Sequence, residues 1–216
     1  MIGTATTLAN TGLVVGGIVG LAALAVPAVW IVVAYNSLRR AQVRAQNAFS
    51  QIDVQLKRRF DLIPNLVETV KGYMQHERAT LEAVIAARAQ AAGALGAVAG
   101  GGAGMMGVAS MGALTSASGA LDGALNRLMG LVERYPELKA NQNALELQEE
   151  LASTENRIAF ARQAYNDAVM TYNTRLAVFP DLLIARLFSF ASAGLFEADE
   201  GARALPQVDF SAPSRA

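Results

Sequence analysis

"AQNAFSQIDVQLKRRFDLI", residues 45–63, decides how this chain folds. Ala45, Phe49, Ile52, Leu56, Phe60 and Ile63 step by four, three, four, four and three residues, one apolar stripe along a helix. A half-buried strand would alternate instead, so the block reads as an amphipathic helix with one face to a core. Pro64 follows directly, and a kink or restart is expected there, because proline lacks the N–H and disfavours helix in the preceding residue. Leu66, Val70, Tyr73, Leu81, Val84 and Arg88 carry a second stripe onward until a glycine-rich stretch ends it.

Toward the N-terminus the chain becomes wholly apolar. No charge precedes Arg39, and residues 12–34, "GLVVGGIVGLAALAVPAVWIVVA", are 23 apolar or small residues. At about 1.5 Å per residue they exceed a hydrocarbon core of roughly 30 Å. A cleavable signal peptide would want a basic n-region, which Met1–Asn10 lacks, so an uncleaved transmembrane helix is expected. Trp30 and Tyr35 stand near its end, where aromatic rings favour the interface. Arg39, Arg40 and Arg44 follow the span and are placed to meet lipid headgroups. The positive-inside rule then puts the N-terminus outside and the body in the cytoplasm. Gly12, Gly16 and Gly20 repeat at every fourth position, a face through which spans could self-associate.

Beyond the stripe, "ERYPELKAN" places Pro136 at a natural helix start. A helix of about 40 residues is expected from Glu137 to Val178. Leu151, Ile158, Tyr165 and Tyr172 fall seven apart, with Glu155, Arg162, Val169 and Leu176 four residues after each. That seam has polar members and suits a bundle better than a pure zipper. The fold class is all-α: a transmembrane helix running into a long antiparallel helical hairpin or bundle. The divisions are an N-terminal tail (1–11), the span (12–34), a cytoplasmic bundle (35–178) with a glycine-rich connection (91–120), a short apolar helix (179–197) and an irregular tail (198–216).

Composition agrees. Of the 216 residues 53% are apolar but only 6% aromatic, which suits helices and membrane segments over a β-sandwich. There is no cysteine, so disulfides, thiolate nucleophiles and cysteine metal sites are excluded. The zero net charge hides two halves: nine Lys/Arg against five Asp/Glu over residues 36–90, and nine against thirteen over 91–216. Two complementary arms explain this better than a nucleic-acid surface. Lys57, Arg58 and Arg59 lie about 35 Å past the membrane boundary, out of reach of headgroups through a Debye length of roughly 8 Å. Their expected partners are Glu146, Glu149, Glu150 or Glu155 of the return helix, or another subunit. Asn47, Asn65, Asn141, Asn156, Asn166 and Asn173, with Gln148, need partners if buried, and Asn65 is expected to act locally at the helix restart.

Catalytic sets are missing. His76 is the sole histidine, and an HExxH pair would need another where Thr80 stands. The glycines of 93–104 lack the Lys-Ser/Thr of a P-loop and a preceding strand. No enzyme activity, cofactor or metal is expected.

The blocks "YNSLRRAQVRAQNAFSQIDVQLKRRFDLIPNLVETVKGYMQHE" (35–77), "YPELKANQNALELQEELASTENRIAFARQAYNDAVMTYN" (135–173) and "FPDLLIARLFSFASAGLFE" (179–197) together resemble the LemA family. The resemblance implies a bacterial membrane-anchored helical protein of the cytoplasmic (inner) membrane, and a magnetosome-associated relative in that family points to membrane organisation. The expected function is a self-assembling membrane scaffold. The alternative is an adaptor or regulator holding a sensor kinase or membrane protease at the bilayer. Expected partners are the protein itself, the lipid bilayer and a membrane or cytoplasmic protein, with no nucleic acid. The uncharged stretch 89–121 reads as a linker, with a partly helical assembly surface built on Gly96, Gly100 and Gly104 as the sharper alternative.

Overall fold

The computed structural model describes residues 2–74, 76–100 and 107–196; the side chains of residues 2–20 and 22 stand outside that description. Six helices follow in order: α1 (Ile2–Lys71), α2 (Arg78–Gly100), α3 (Val108–Val132), α4 (Pro136–Lys139), α5 (Gln142–Ala177) and α6 (Asp181–Leu187). Among the described residues there is no strand.

The opening stripe is the spine of the core. Ala45, Phe49, Ile52, Leu56, Phe60 and Ile63 are all buried, as are Leu66 and Val70 in the next turns. The seam of α5 faces it, with Leu151, Ile158, Tyr165, Val169 and Tyr172 buried in the same cluster. Arg175 bonds Ser37, the Phe49 and Tyr165 rings meet at 5.9 Å, Arg58 bonds Glu150, and Asn141 bonds Tyr73. Each advance along α1 is thus matched by a retreat along α5, so the two helices are antiparallel. α2 descends beside the upper part of α1 and α3 climbs back, giving an up–down–up–down four-helix arrangement.

Pro64 does not break α1, which runs through it to Lys71. The proline removes the bond that the Phe60 carbonyl would accept four residues on. That carbonyl instead accepts from Arg88 Nε of α2 at 2.7 Å. A neighbouring helix therefore repairs the ladder, and the expected restart, with Asn65 acting locally in it, gives way to an exposed Asn65 in continuous helix. Arg88→Ala should cost about 1.5–3 kcal/mol in urea denaturation. The loss should shrink in a Pro64→Ala background, where the new N–H takes over the Phe60 carbonyl. Equal losses in both backgrounds would rule the brace out. At its other end α1 already includes residues 2–11, so the expected N-terminal tail is helix.

The glycine-rich connection is mostly helix too. Ala91, Leu95 and Val98 of α2 and Met111, Leu114, Ser118 and Leu121 of α3 are buried at three- and four-residue spacings. α2 ends at Gly100 and α3 begins at Val108; residues 101–106, including Gly104, lie outside the described residues. The contact between the two helices is made by the buried side chains, while the glycines of α2 and Gly112 and Gly123 of α3 face open space. With residues 2–20 and 22 of α1 left aside, α2 is the one helix long and apolar enough to cross a membrane, with a mean hydropathy of 1.3. It lies against α1 and α3 with Leu81, Val84 and Ala87 also buried.

The expected 40-residue return helix is divided. Pro136 opens the short α4, and Asn141 then caps α5 by accepting from the Ala144 N–H at 3.1 Å. The expected apolar helix over 179–197 is shorter than its sequence suggested: α6 stops at Leu187, and Ser189 has a φ of 53°. Residues 190–196 then run back along α5 as an irregular strap. α6 seats Ile184 and Ala185 on Ala34 and Leu38 of α1.

Candidate functional site

Two constellations stand out along α5. The first is a layer of charge inside the bundle. Arg59 of α1 is 6% exposed. Its Nη1 lies 2.6 Å from Asp122 Oδ1 of α3 and 2.8 Å from Glu155 Oε2 of α5. Arg162, two turns beyond Glu155, joins the group. Burial pulls its guanidinium below the usual arginine range, against the attraction of Asp122 and Glu155 and with the repulsion of Arg59. Two cations and two carboxylates from three helices balance one another, which is the condition for keeping Arg59 out of water while its half-buried partners stay partly solvated. The Phe196 ring lies 4.4 Å from Arg162 Cζ, so the layer also touches the strap.

The second constellation holds that strap. Tyr165 and Tyr172 donate their hydroxyls to the carbonyls of Gly194 (2.7 Å) and Ala191 (2.8 Å). Asn166 and Asn173 each make a two-way pair with one backbone residue. Asn166 Nδ2 donates to Phe196 O at 2.9 Å and its Oδ1 accepts from the Phe196 N–H at 2.8 Å. Asn173 does the same with Ala193, at 2.8 and 3.0 Å. Tyr-Asn therefore occurs twice, seven residues apart, and its backbone targets recur three residues apart. Seven helical residues rise about 10.5 Å and three extended residues about 10 Å, so the two repeats are commensurate. Burial pushes both phenols above the usual tyrosine range, with Arg39 opposing the shift at Tyr172, so both remain donors.

The other side of the strap meets the start of α3. A Cβ on Gly194 would stand 2.7 Å from Val108 Cα, 3.1 Å from Met111 Cβ and 3.2 Å from Gly107 O. Glycine is required here by proximity. Ala193 and Phe196 complete the main core below the α2–α3 turn, in the position that α3 occupies above it.

The α1 stripe from Phe49 onward, the α5 seam and the strap fall within residues 48–210, which match the family model described as the LemA family. The chain belongs to the LemA family. Over 85 residues it is 35% identical to the magnetosome proteins MamQ 1 and MamQ 2 of Paramagnetospirillum magneticum, covering 39% of this chain and 31% of each relative. It is 26% identical over 165 residues to Protein LemA of Metamycoplasma hominis, covering 76% of this chain and 69% of that one. The chain thus spans under a third of the length of the magnetosome proteins it matches.

On this LemA-family fold the residues singled out from sequence separate. Arg59 is in the charge layer, Arg58 bonds Glu150 across to α5 at 3.2 Å, and Lys57 pairs only with Asp53 of its own helix at 2.8 Å. Arg39, Arg40 and Arg44 are exposed on α1 near α6. Arg39 Nη1 donates to Gln42 at 2.6 Å, and Arg40 Nε to the Asn36 carbonyl at 3.2 Å. A Cβ on Gly96 or Gly100 would stand in open space, so neither glycine serves packing within the chain. Gly12, Gly16 and Gly20 lie on α1, but their surroundings fall outside the described side chains. Asp122 and Gly194 carry no periodic signal that would have marked them. The doubled Tyr-Asn was visible as four buried-type positions on α5, but its partner strap was read as helix.

Proposed function

We propose that this LemA-family protein is a non-enzymatic, single-pass membrane protein that self-assembles as a membrane-associated scaffold in membrane organisation or remodelling, its N-terminus outside and its bundle in the cytoplasm. One observation carries the reading. Leu21, Leu24, Val26, Val29, Val32 and Val33 of α1 are 57–78% exposed, while the next turns of the same helix sink into the bundle. Apolar area left in water is unfavourable by about 25 cal/mol per Å², and a bilayer would cover this run. The arginines that follow the run support that orientation, and magnetosome relatives favour a role at a membrane.

Self-assembly is supported by the glycine spacing in the span and by Gly96 and Gly100, both exposed on α2. Light scattering after size exclusion in mild detergent should give an oligomer at micromolar concentration. Gly96→Leu with Gly100→Leu should lower its mass without unfolding it, because both side chains project into open space. A monomeric parent chain would refute the scaffold. An oligomer unaffected by the leucines would remove α2 from the contact.

A further inference from the structure

The end of the bundle next to the apolar run carries a second apolar surface. Phe179, Leu183, Leu187 and Phe188, on α6 and its flanks, are 72%, 53%, 68% and 48% exposed. Together with the run from Leu21 to Val33 they make up about half of the large exposed apolar side chains of the described residues, the remainder being scattered along the rod. Beside them α1 and α5 form a groove of about 500 Å³, edged by Val33 and lined by Arg40, Arg44 and Arg175, with Ser37, Thr171 and Asp167. Three cations face one carboxylate. Among the described residues none of the three arginines makes an ion pair.

We propose that this end is a docking surface for the anionic lipid of the bilayer that α1 enters, with α6 lying in the interface and the groove holding a phosphate-bearing headgroup. The inference rests on the anchor reading above and adds a second, peripheral contact to it. Position selects the occupant. Val33 is both the last exposed residue of the apolar run and the edge of the groove, and α6 docks on the next turns, Ala34 and Leu38. Arg40 and Arg44 stand about 10 and 16 Å along α1 from Val33, where side chains reach the headgroup layer and its Debye length of about 8 Å. Arg58, about 38 Å away, is beyond it. Apolar side chains at one depth with unpaired arginines just above them match a membrane surface layer by layer.

The chain has no cysteine, so single probes are clean. Leu24→Cys, Val54→Cys and Leu187→Cys, each carrying an environment-sensitive fluorophore, would be placed in nanodiscs containing nitroxide-labelled lipid. Quenching is expected at positions 24 and 187 and not at 54. At 187 it should rise when phosphatidylglycerol replaces phosphatidylcholine. Each arginine near an anionic leaflet should favour docking about fivefold, so Arg40→Gln, Arg44→Gln and Arg175→Gln together should abolish the rise while leaving position 24 quenched. Quenching at 24 without 187 would overturn the inference and keep the anchor. No quenching at 24 would overturn the anchor itself. A probe at 187 shielded from solvent in lipid-free detergent and unquenched in nanodiscs would mean that a second copy covers α6, and inorganic phosphate bound by the groove with no phosphatidylglycerol response at 187 would mean that the groove takes the free ion; either result overturns the lipid assignment.

Discussion

Alanine in place of Arg59 is expected to lower the unfolding free energy by about 3 kcal/mol, the lower end of the range for breaking a buried ion pair. The loss comes less from the missing attraction than from what remains: Asp122 and Glu155, drawn together by one guanidinium, keep only Arg162 to face. Their side chains are 32% and 43% exposed, so water recovers part of the penalty and the upper end is not reached. Replacing Arg59, Asp122, Glu155 and Arg162 together by apolar residues should restore most of the stability, since no charge is left stranded. Urea midpoints of the single and fourfold variants measure both. A loss below about 1 kcal/mol for the single variant would place the layer among solvated surface pairs.

Valine at position 194 should release the strap. The Cβ would meet Val108 Cα at 2.7 Å, a backbone atom that cannot turn aside, while the Gly194 carbonyl is tied to Tyr165 on the opposite side. Overpacking of this kind costs about 1–3 kcal/mol, equivalent to about 5- to 150-fold faster exchange through the opened state. The amides to watch are Ala193 and Phe196, whose hydrogens sit on Asn173 and Asn166. Gly96→Val, projecting into open space, is the control that should leave these rates alone. Unchanged protection in the Gly194 variant would show that α3 yields instead.

How much of this could be read in advance depended on contrast between neighbours. The α1 stripe and the α5 seam alternate apolar residues with charged ones, and both are buried where the period puts them. Between Ala89 and Leu121 the same spacing exists in Ala91, Leu95, Val98, Met111 and Leu114, but no charged residues outline it, so helix resembled linker. Pro64 obeyed its local rule in removing a hydrogen bond; the substitute came from Arg88, 24 positions later, which no local window contains. The strap failed for a related reason. Its residues are apolar enough for a helix, yet its backbone is captured by side chains on another element. The basic residues Lys57, Arg58 and Arg59 were legible as a group facing acids, whereas the selection of Arg59 for the interior needed Asp122 from a third helix.

The two prolines of α1 sit in unlike surroundings, and this sets where the molecule can bend. The Phe60 carbonyl that Pro64 frees is held by Arg88 of the bundle, while Pro27 lies below the level at which α6 first touches α1. Sharp kinks of long helices fall at prolines, and Pro27 is the one outside the bundle. A bend at Pro27 would carry everything from Trp30 upward as a single arm. Its far turn, near Lys71, is about 66 Å away, so a bend of about 10° at the pivot sweeps that turn through about 11 Å. Small angular changes near one end are thereby converted into displacements as wide as a helix at the other.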